Sequence, residues 1–451
     1  MRILLLNQFY PPDPAPTGQA MHDLARVLTD RGHAVQVLCS RGAYQGPARY
    51  AAREHRDGIE VRRLPGPRLG RGSLLRRGID YASFHAAALA AVLTTRPRPD
   101  LVLALTTPPF IGLAAAAAAR GRGLVHAHWV MDVYPDALAA LGLVAPDGLR
   151  MRALRSLARA QLRGAGLVLG LGAVMDRRLA DYAPASAPRA WVPLWGDPLG
   201  AAGADAVLLR RARGWAPGDL VFMYSGNLGL GHRFGEILEA ARRLGPAGPK
   251  WAFAGGGPRR SEVERFAREE HGARVELLPY VPRESLAASL AAADVHLASL
   301  SPGWEGISVP SKIAAVFSVG RPAIFVGPRR SEAAAWIEES GGGWVVPEDD
   351  VVALLAAVRA AGDPHERARR GERALAYARR HFDRHDNCSR IAELLERCVA
   401  PATRGDAQAA AAGDPRPSAA TADARTAMAG IWRSKSTKQW RRSASRPAIS
   451  H

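Results

Sequence analysis

Apolar and polar positions along this chain follow two rhythms. Short apolar runs occur at residues 3–6 (ILLL), 35–38 (VQVL), 101–104 (LVLA), 124–127 (LVHA) and 167–169 (LVL), separated by stretches such as 21–30 and 83–93 with helical periodicity. The runs predict strands buried on both faces, and the periodic stretches predict amphipathic helices. A second series starts at 220–224 (LVFMY) and continues through 251–254 (WAFA), 275–278 (VELL), 294–297 (DVHL) and 323–326 (AIFV). Strands alternating with helices predict parallel sheets covered on both sides, one sheet per series. Between the series, Pro193, Gly196, Pro198 and a Gly/Ala-rich stretch to Gly203 interrupt both rhythms, which predicts a linker and a boundary at 197.

Composition narrows the classes. The 451 residues suffice for two to four domains. An apolar fraction of 47% and a charged fraction of 23% are ordinary globular values and exclude collagen, coiled coil and bulk disorder. Cys39, Cys388 and Cys398 are too few and too scattered for a disulfide scaffold, and no Cys/His spacing resembles a zinc site. A cytoplasmic location is the expectation. The amino-terminal apolar run stops after four residues, shorter than the core of about seven that a signal peptide needs. The apolar region 101–119 is broken by Thr106-Thr107-Pro108-Pro109, so no membrane-spanning segment is predicted. From Pro401 the chain becomes Ala-, Asp-, Pro- and Ser-rich and then basic between Arg433 and Arg446, the composition of a disordered tail.

A net charge of +19 favours an anionic partner: nucleic acid, a membrane surface or a phosphorylated small molecule. Arginine supplies almost all of that charge. Only Lys250, Lys312, Lys435 and Lys438 are lysines, so a lysine at a motif is conspicuous.

Open parallel sheets bind ligands beyond the carboxyl ends of their strands, where glycine-rich turns let a backbone approach a phosphate. Ser225-Gly226-Asn227-Leu228-Gly229-Leu230-Gly231 follows one predicted strand and Gly255-Gly256-Gly257-Pro258 the next. Each is a phosphate loop or simply a tight turn. At the amino end, Pro11-Pro12-Asp13-Pro14-Ala15-Pro16-Thr17-Gly18 is either a stiff loop whose Gly18 opens a helix start to the cleft, or a lid with Thr17 as N-cap. The richest stretch is Trp304-Glu305-Gly306-Ile307-Ser308-Val309-Pro310-Ser311-Lys312-Ile313. Glu305 can accept bonds from sugar hydroxyls, and Pro310 and Ser311 suit a helix start. Lys312 falls in the first helical turn, where a cation opposes the helix dipole, so it either meets an anion or is merely solvated.

These segments resemble the family-4 retaining glycosyltransferases of the GT-B fold, and in particular bacterial enzymes of colanic-acid and O-antigen biosynthesis. The resemblance rests on six segments in the family's order across residues 1–398: Asn7-Gln8-Phe9-Tyr10-Pro11-Pro12, Trp129-Val130-Met131-Asp132-Val133-Tyr134-Pro135-Asp136, Tyr224 to Gly229, Phe253 to Pro258, Leu278-Pro279-Tyr280-Val281-Pro282 and Val309 to Ile313. It implies an α/β chain with two Rossmann-like domains facing across a cleft: an acceptor-binding domain at 1–197 and a nucleotide-sugar-binding domain at 198–385. A terminal helix at 386–400 and a disordered basic tail at 401–451 complete the expected organisation.

The implied reaction moves a hexosyl or N-acetylhexosaminyl group from a nucleotide diphosphate, with a UDP-sugar as the first expectation, to a lipid-linked glycan, retaining anomeric configuration. The nucleotide sugar is a co-substrate; no cofactor and no metal are expected. The resemblance places Asp132, Glu305 and Lys312 at the reacting sugar and phosphates. It places Gly226, Asn227, His232, Gly257 and Ser311 along the diphosphate, Tyr280 and Val281 beside the base, and Gly18 in the acceptor half. The chain departs from the family pattern in three places. Asn227 and His232 stand where many members carry Arg and Lys. The second glutamate is replaced by Ile313, or by Ala315 when counted back from Gly320. Met131 stands where a histidine often precedes the aspartate, with His126 and His128 nearby.

Arg150, Arg152, Arg155, Arg159 and Arg163 recur at helical spacing beside Leu154, Leu157 and Leu162, and residues 62–77 are also basic. Such a stripe is a solvated face or the footprint of a helix lying on an anionic inner-membrane surface. No nucleic-acid recognition motif accompanies the charge. Two rival functions share the architecture: a nucleotide-sugar 2-epimerase, which needs additional cleft carboxylates, and a non-catalytic nucleotide-sugar-binding protein.

Overall fold

A computed structural model of the chain describes residues 1–43, 49–67, 69, 74–198 and 203–399. The predicted tail, 401–451, lies outside the described residues, as do Arg68 and residues 70–73 of the second basic stretch.

Two sheets form. The first contains β1 (Arg2–Leu6), β2 (Ala34–Ser40), β3 (Arg53–Arg56), β4 (Ile59–Leu64), β5 (Leu101–Ala104), β6 (Val125–Trp129), β7 (Leu167–Gly170) and β8 (Arg189–Trp191). Their order is β3-β4-β2-β1-β5-β6-β7-β8, and all pairs are parallel except β3 with β4. The second contains β9 (Val221–Ser225), β10 (Lys250–Ala254), β11 (Val275–Leu278), β12 (Val295–Ser299), β13 (Ala323–Val326) and β14 (Gly343–Val346). It runs β11-β10-β9-β12-β13-β14, parallel throughout. Every residue of β5, β7, β12 and β13 is buried, as strands covered by helices on both faces require. Burial of each such Leu, Ile, Val or Phe contributes about 1.5–3 kcal/mol.

Strand order reverses direction between β1 and β5 in the first sheet and between β9 and β12 in the second. Helices diverge from each reversal point and leave a crevice beyond the strand ends. The loops that emerge there follow β1, β5, β9 and β12, and they include the proline loop, the Gly226 loop and the 305–312 segment.

Four strands escaped the hydrophobic pattern: β3, β4, β8 and β14. β3 reads Arg-Glu-His-Arg and has no apolar residue; pairing with β4 alone makes it a strand. Arg62 and Arg63, counted above as part of a basic surface, lie in β4. Arg63 is buried, with its guanidinium donating to Glu54 at 2.9 Å and to the Pro11 carbonyl at 2.8 Å.

The terminal helix runs Arg384–Val399 and packs on the first sheet's helix Pro16–Asp30. Glu396 accepts from Arg31 Nη2 at 2.8 Å and from His33 Nε2 at 2.8 Å, which holds its carboxyl down at about 2. Asn387 Nδ2 donates to the Pro193 carbonyl at 3.2 Å. The preceding helix, Pro364–His381, approaches the second sheet so closely that a Cβ on Gly371 would stand 2.4 Å from the Gly320 carbonyl oxygen. Backbone cannot yield at that distance. Gly371→Ala is therefore expected to cost about 1–3 kcal/mol and to lower the melting temperature. Gly362→Ala, which meets nothing within 4 Å, is expected to leave it unchanged in the same calorimetric scan.

Candidate active site

The glycine loop and Lys312 come together at the reversal point of the second sheet. Gly226 has φ 124°, and a Cβ there would lie 3.8 Å from Lys312 Nζ. The ammonium sits 3.3 Å from the centroid of the Tyr224 ring, is buried, and has no hydrogen-bond partner. Burial pushes its pKa well below the ordinary lysine value. A ring face offsets only part of the hydration that the ammonium has lost. The Lys312 amine is therefore left with its hydrogen-bonding capacity unmet.

His232 closes the same space. Its Nδ1–H donates to the Ser299 carbonyl at the end of β12 at 2.6 Å, and its ring meets Tyr224 edge-on at 5.9 Å. Burial, with the charge of Lys312 second, takes its pKa down to about 3, so the ring is neutral. Tyr224 Oη donates to the Asn227 carbonyl at 2.9 Å, while Asn227 itself is exposed.

The backbone N–H groups expected to cradle phosphate are partly committed elsewhere. Gly226 N donates to Ala254 O at 2.9 Å and Leu228 N to Gly256 O at 2.8 Å, because the two glycine turns lie directly against each other. A Cβ on Gly257 (φ 141°) would fall 2.5 Å from Asn227 Oδ1, so Gly257 serves this packing. Helix Lys312–Ser318 is short, and its Ile313 and Ala314 N–H groups reach back to the Pro310 and Ser311 carbonyls at 3.3 and 3.1 Å. Ser311 makes no side-chain capping bond. Lys312 is thus the cationic side chain against the Gly226 turn, and Arg259 stands nearby with its guanidinium donating to the His232 carbonyl. Tyr280 Oη donates to Gly256 O at 3.1 Å with its ring 41% exposed, and Val281 beside it is half-buried. Ile313 is buried and Ala315 packs against Gly196, so neither candidate for the second glutamate opens to the crevice.

The segment carrying Glu305 is stitched to the first lobe. Asp132, in the loop after β6, forms an antiparallel bridge with Ser308, and Val133 N donates to Ile307 O at 2.8 Å. Burial raises the Asp132 carboxyl, and a hydrogen bond with the Ser308 side chain partly offsets this. The Glu305 carbonyl accepts from Arg178 Nε at 3.2 Å; its carboxylate makes no hydrogen bond among the described residues. Segment 305–312 of the second lobe therefore carries Glu305 and Lys312 and bridges to Asp132 of the first.

Gly18, expected in the acceptor half, lies in the first turn of helix Pro16–Asp30. Its N–H donates to Ala15 O at 3.0 Å, and a Cβ would lie 2.9 Å from Phe9 O, so it lets helix Pro16–Asp30 press against the proline loop. Ala15, not Thr17, is the N-cap, and Thr17 Oγ1 accepts from Asn7 Nδ2 at 3.3 Å.

Thr106 and Ser308 were given no role by the sequence, and His128 was noted there only as lying near Asp132. Thr106 Oγ1 accepts from Met131 N at 2.8 Å and fixes the Asp132 loop. Ser308 touches Asp132 only because the lobes meet. His128, buried and held down at about 3 by desolvation, lines a cavity of about 10 Å³ with Thr106, Phe110, Asp132, Tyr134 and Gln161. His126, by contrast, is a core residue whose Nε2 donates to Gln161 O at 3.2 Å. Among the described residues no group of three or more His, Cys, Asp or Glu could hold a metal ion.

The sequence profile described as "Glycosyl transferase 4-like domain" matches residues 17–195, and that described as "Glycosyl transferases group 1" matches residues 219–362. The chain belongs to the family-4-like glycosyltransferases. WbjE of Pseudomonas aeruginosa, named as a glycosyltransferase, is 28% identical over 292 residues, covering 64% of this chain and 72% of that one. WcaI of Escherichia coli K12, named as a colanic acid biosynthesis glycosyl transferase, is 24% identical over 374 residues, 80% of this chain and 92% of that one. Among solved structures, HepE of Anabaena in complex with UDP-glucose superposes with a TM-score of 0.65 at 17% identity, covering 88% of this chain and all (100%) of that one. The GT-B architecture expected from the resemblance is thus the architecture of this glycosyltransferase.

In the glycosyltransferase, an unpaired buried ammonium costs stability. Lys312→Met is expected to raise the melting temperature at pH 7, by about 1–3 kcal/mol of added stability. Folding depresses the lysine pKa, so the wild type gains stability as pH rises toward the ordinary lysine value of about 10.4, and the gap between the two proteins should narrow. Thermal scans from pH 7 to 10 measure it.

Proposed function

We propose that this glycosyltransferase moves a sugar from a UDP-sugar to a lipid-linked glycan acceptor in surface polysaccharide assembly, with retained anomeric configuration. The observation that carries the reading is the buried Lys312 ammonium, unpartnered against the Gly226 turn at the reversal point of the second sheet. The bond from the anomeric carbon to the phosphate oxygen breaks as positive charge grows on the sugar and negative charge on the departing diphosphate. Lys312 stabilises that negative charge in a site shielded from water, where a fixed cation acts most strongly. Glu305 holds the sugar hydroxyls. Asp132 faces the acceptor and the oxocarbenium-like ring. Tyr280, exposed beside the Gly256 turn, offers a flat surface to the base. HepE, solved with UDP-glucose, and WcaI, named for colanic acid biosynthesis, support the donor and the pathway class.

The acceptor's lipid places the enzyme at an anionic bilayer. Helix Leu149–Leu162 buries Met151, Ala158, Gln161 and Leu162 and turns Leu149 and Leu157 outward with Arg150, Arg152 and Arg159. Helix Leu74–Thr94 leaves Leu75 and Ile79 exposed beside Arg76, and both helices pack on helix Gly112–Arg122. Apolar side chains flanked by arginines suit the headgroup region. No helix among the described residues is long and apolar enough to cross a membrane.

Incubation with radiolabelled nucleotide sugars and membrane extract should put label into lipid; epimerised nucleotide sugar, or binding without conversion, would replace this reading with one of its rivals. Lys312→Ala should lower turnover by about 10²-fold, and near-normal turnover would remove Lys312 from the mechanism. In flotation assays the protein should rise with anionic liposomes at low salt and less so at high salt; absence of binding at low salt contradicts the membrane assignment.

A further inference from the structure

Glu332, at the first position of helix Glu332–Ser340, is 3% exposed and crosses the lobe boundary. Its Oε1 accepts from the backbone N–H of Met175 at 2.6 Å, in helix Ala173–Leu179 of the first lobe. Gly172 supplies the space: a Cβ there would fall 2.4 Å from Glu332 Cγ. The other oxygen, Oε2, is buried without a partner, and burial raises the carboxyl's pKa. A buried carboxylate held by the Met175 and Val174 backbone of the opposite lobe, with one oxygen left unpartnered, is an expensive way to fill space, and its contacts lead to the Glu305 turn.

The residues flanking Met175 hold the Glu305 turn. Gly306 has φ 67°, and a Cβ there would stand 2.8 Å from Val174 O, so the turn lies flat on Val174. One turn further along the helix, Arg178 donates to the Glu305 carbonyl at 3.2 Å while its Nη1 stands 3.5 Å from Asp136. Asp136 also accepts from Tyr182 Oη at 2.9 Å. The backbone of Glu305 is thus set by a first-lobe helix, and the position of that helix against the second lobe is set by Glu332.

We propose that Glu332 is a positioning residue for Glu305: its bond to Met175 registers residues 174–178 against the second lobe, and Val174 and Arg178 then aim the Glu305 carboxylate at the donor sugar. This rests on the reading of Glu305 as the sugar contact. Glu332 touches no part of the donor, so its effect should appear on the sugar and not on the nucleotide.

The test compares Glu332→Ala with Glu332→Gln, whose amide oxygen can still accept from Met175. Glu332→Ala should lower kcat/KM for whichever labelled UDP-sugar the wild type transfers by about tenfold, the size of losing a hydrogen bond to a charged group. Its calorimetric affinity for UDP alone should match the wild type, and Glu332→Gln should recover most of the activity. Equal activity in wild type and Glu332→Ala, an equal loss of UDP affinity, or a Gln variant as impaired as Ala each overturns the proposal. Hydrogen exchange on the full chain gives a readout independent of transfer. The Val174 and Met175 amides should be protected in the wild type and in Glu332→Gln and exchange faster in Glu332→Ala; unchanged protection also overturns it. If the wild type transfers no sugar while these amides respond as stated, the proposed function fails and the registering bond stands. Should Glu332→Ala not fold, Glu332→Asp, too short to reach Met175, takes its place with the same expected outcomes.

Discussion

The reversal point of the second sheet is built around one desolvated side chain, that of Lys312. Lys312 has given up water and received in exchange only the face of Tyr224, a trade that leaves most of its hydration energy uncompensated. A protein tolerates that only where rigid surroundings hold the charge in place. Here the rigidity comes from two glycine turns locked backbone to backbone, Gly226 to Ala254 and Leu228 to Gly256, and from His232 tied to Ser299. The same locking occupies N–H groups that an open phosphate loop would present. His232 is kept neutral there by its burial, with the charges of Lys312 and Arg259 acting in the same direction.

The segment from Glu305 to Lys312 gives the cation its context. At one end it runs beside the first lobe as a short extra strand pairing, Asp132 with Ser308 and Val133 with Ile307. At the other it delivers Lys312 to the glycine loop. A pull on either lobe is therefore felt by all three charged residues together. Asp132, desolvated and bonded to Ser308, exists in this form only while the lobes are in contact.

What could be read from the amino-acid order follows from which interactions are local. The strands 101–104 and 323–326 are predicted at their observed bounds because burial on both faces leaves an uninterrupted apolar run, and 275–278 matches too although Glu276 interrupts it and the strand is only half-buried. Lys312 stood out because arginine fills nearly every other basic position. β3 was invisible since its four residues are polar and its existence depends on β4. Arg63 read as surface charge and proved to be buried, since its partner Glu54 lies on a neighbouring strand. Thr106, Ser308 and Glu332 carried no signal for the same reason: each acts on a backbone or side chain distant in sequence. Gly18, expected in the acceptor half, and Gly257, expected along the diphosphate, also meet packing demands that only the folded backbone reveals.

The terminal helix Arg384–Val399 lies on the first lobe although it follows the second lobe's last helix. Chain therefore crosses between the lobes twice, once near Asp197 and again near Arg384, and these two residues are themselves bonded at 2.7 Å. A body held by one flexible tether can tumble in any direction, whereas a body held by two neighbouring tethers swings like a door on a pair of hinges. The Asp197–Arg384 pair lies beside that axis, so opening would carry the far rim of the crevice through a wide arc while this pair scarcely moves.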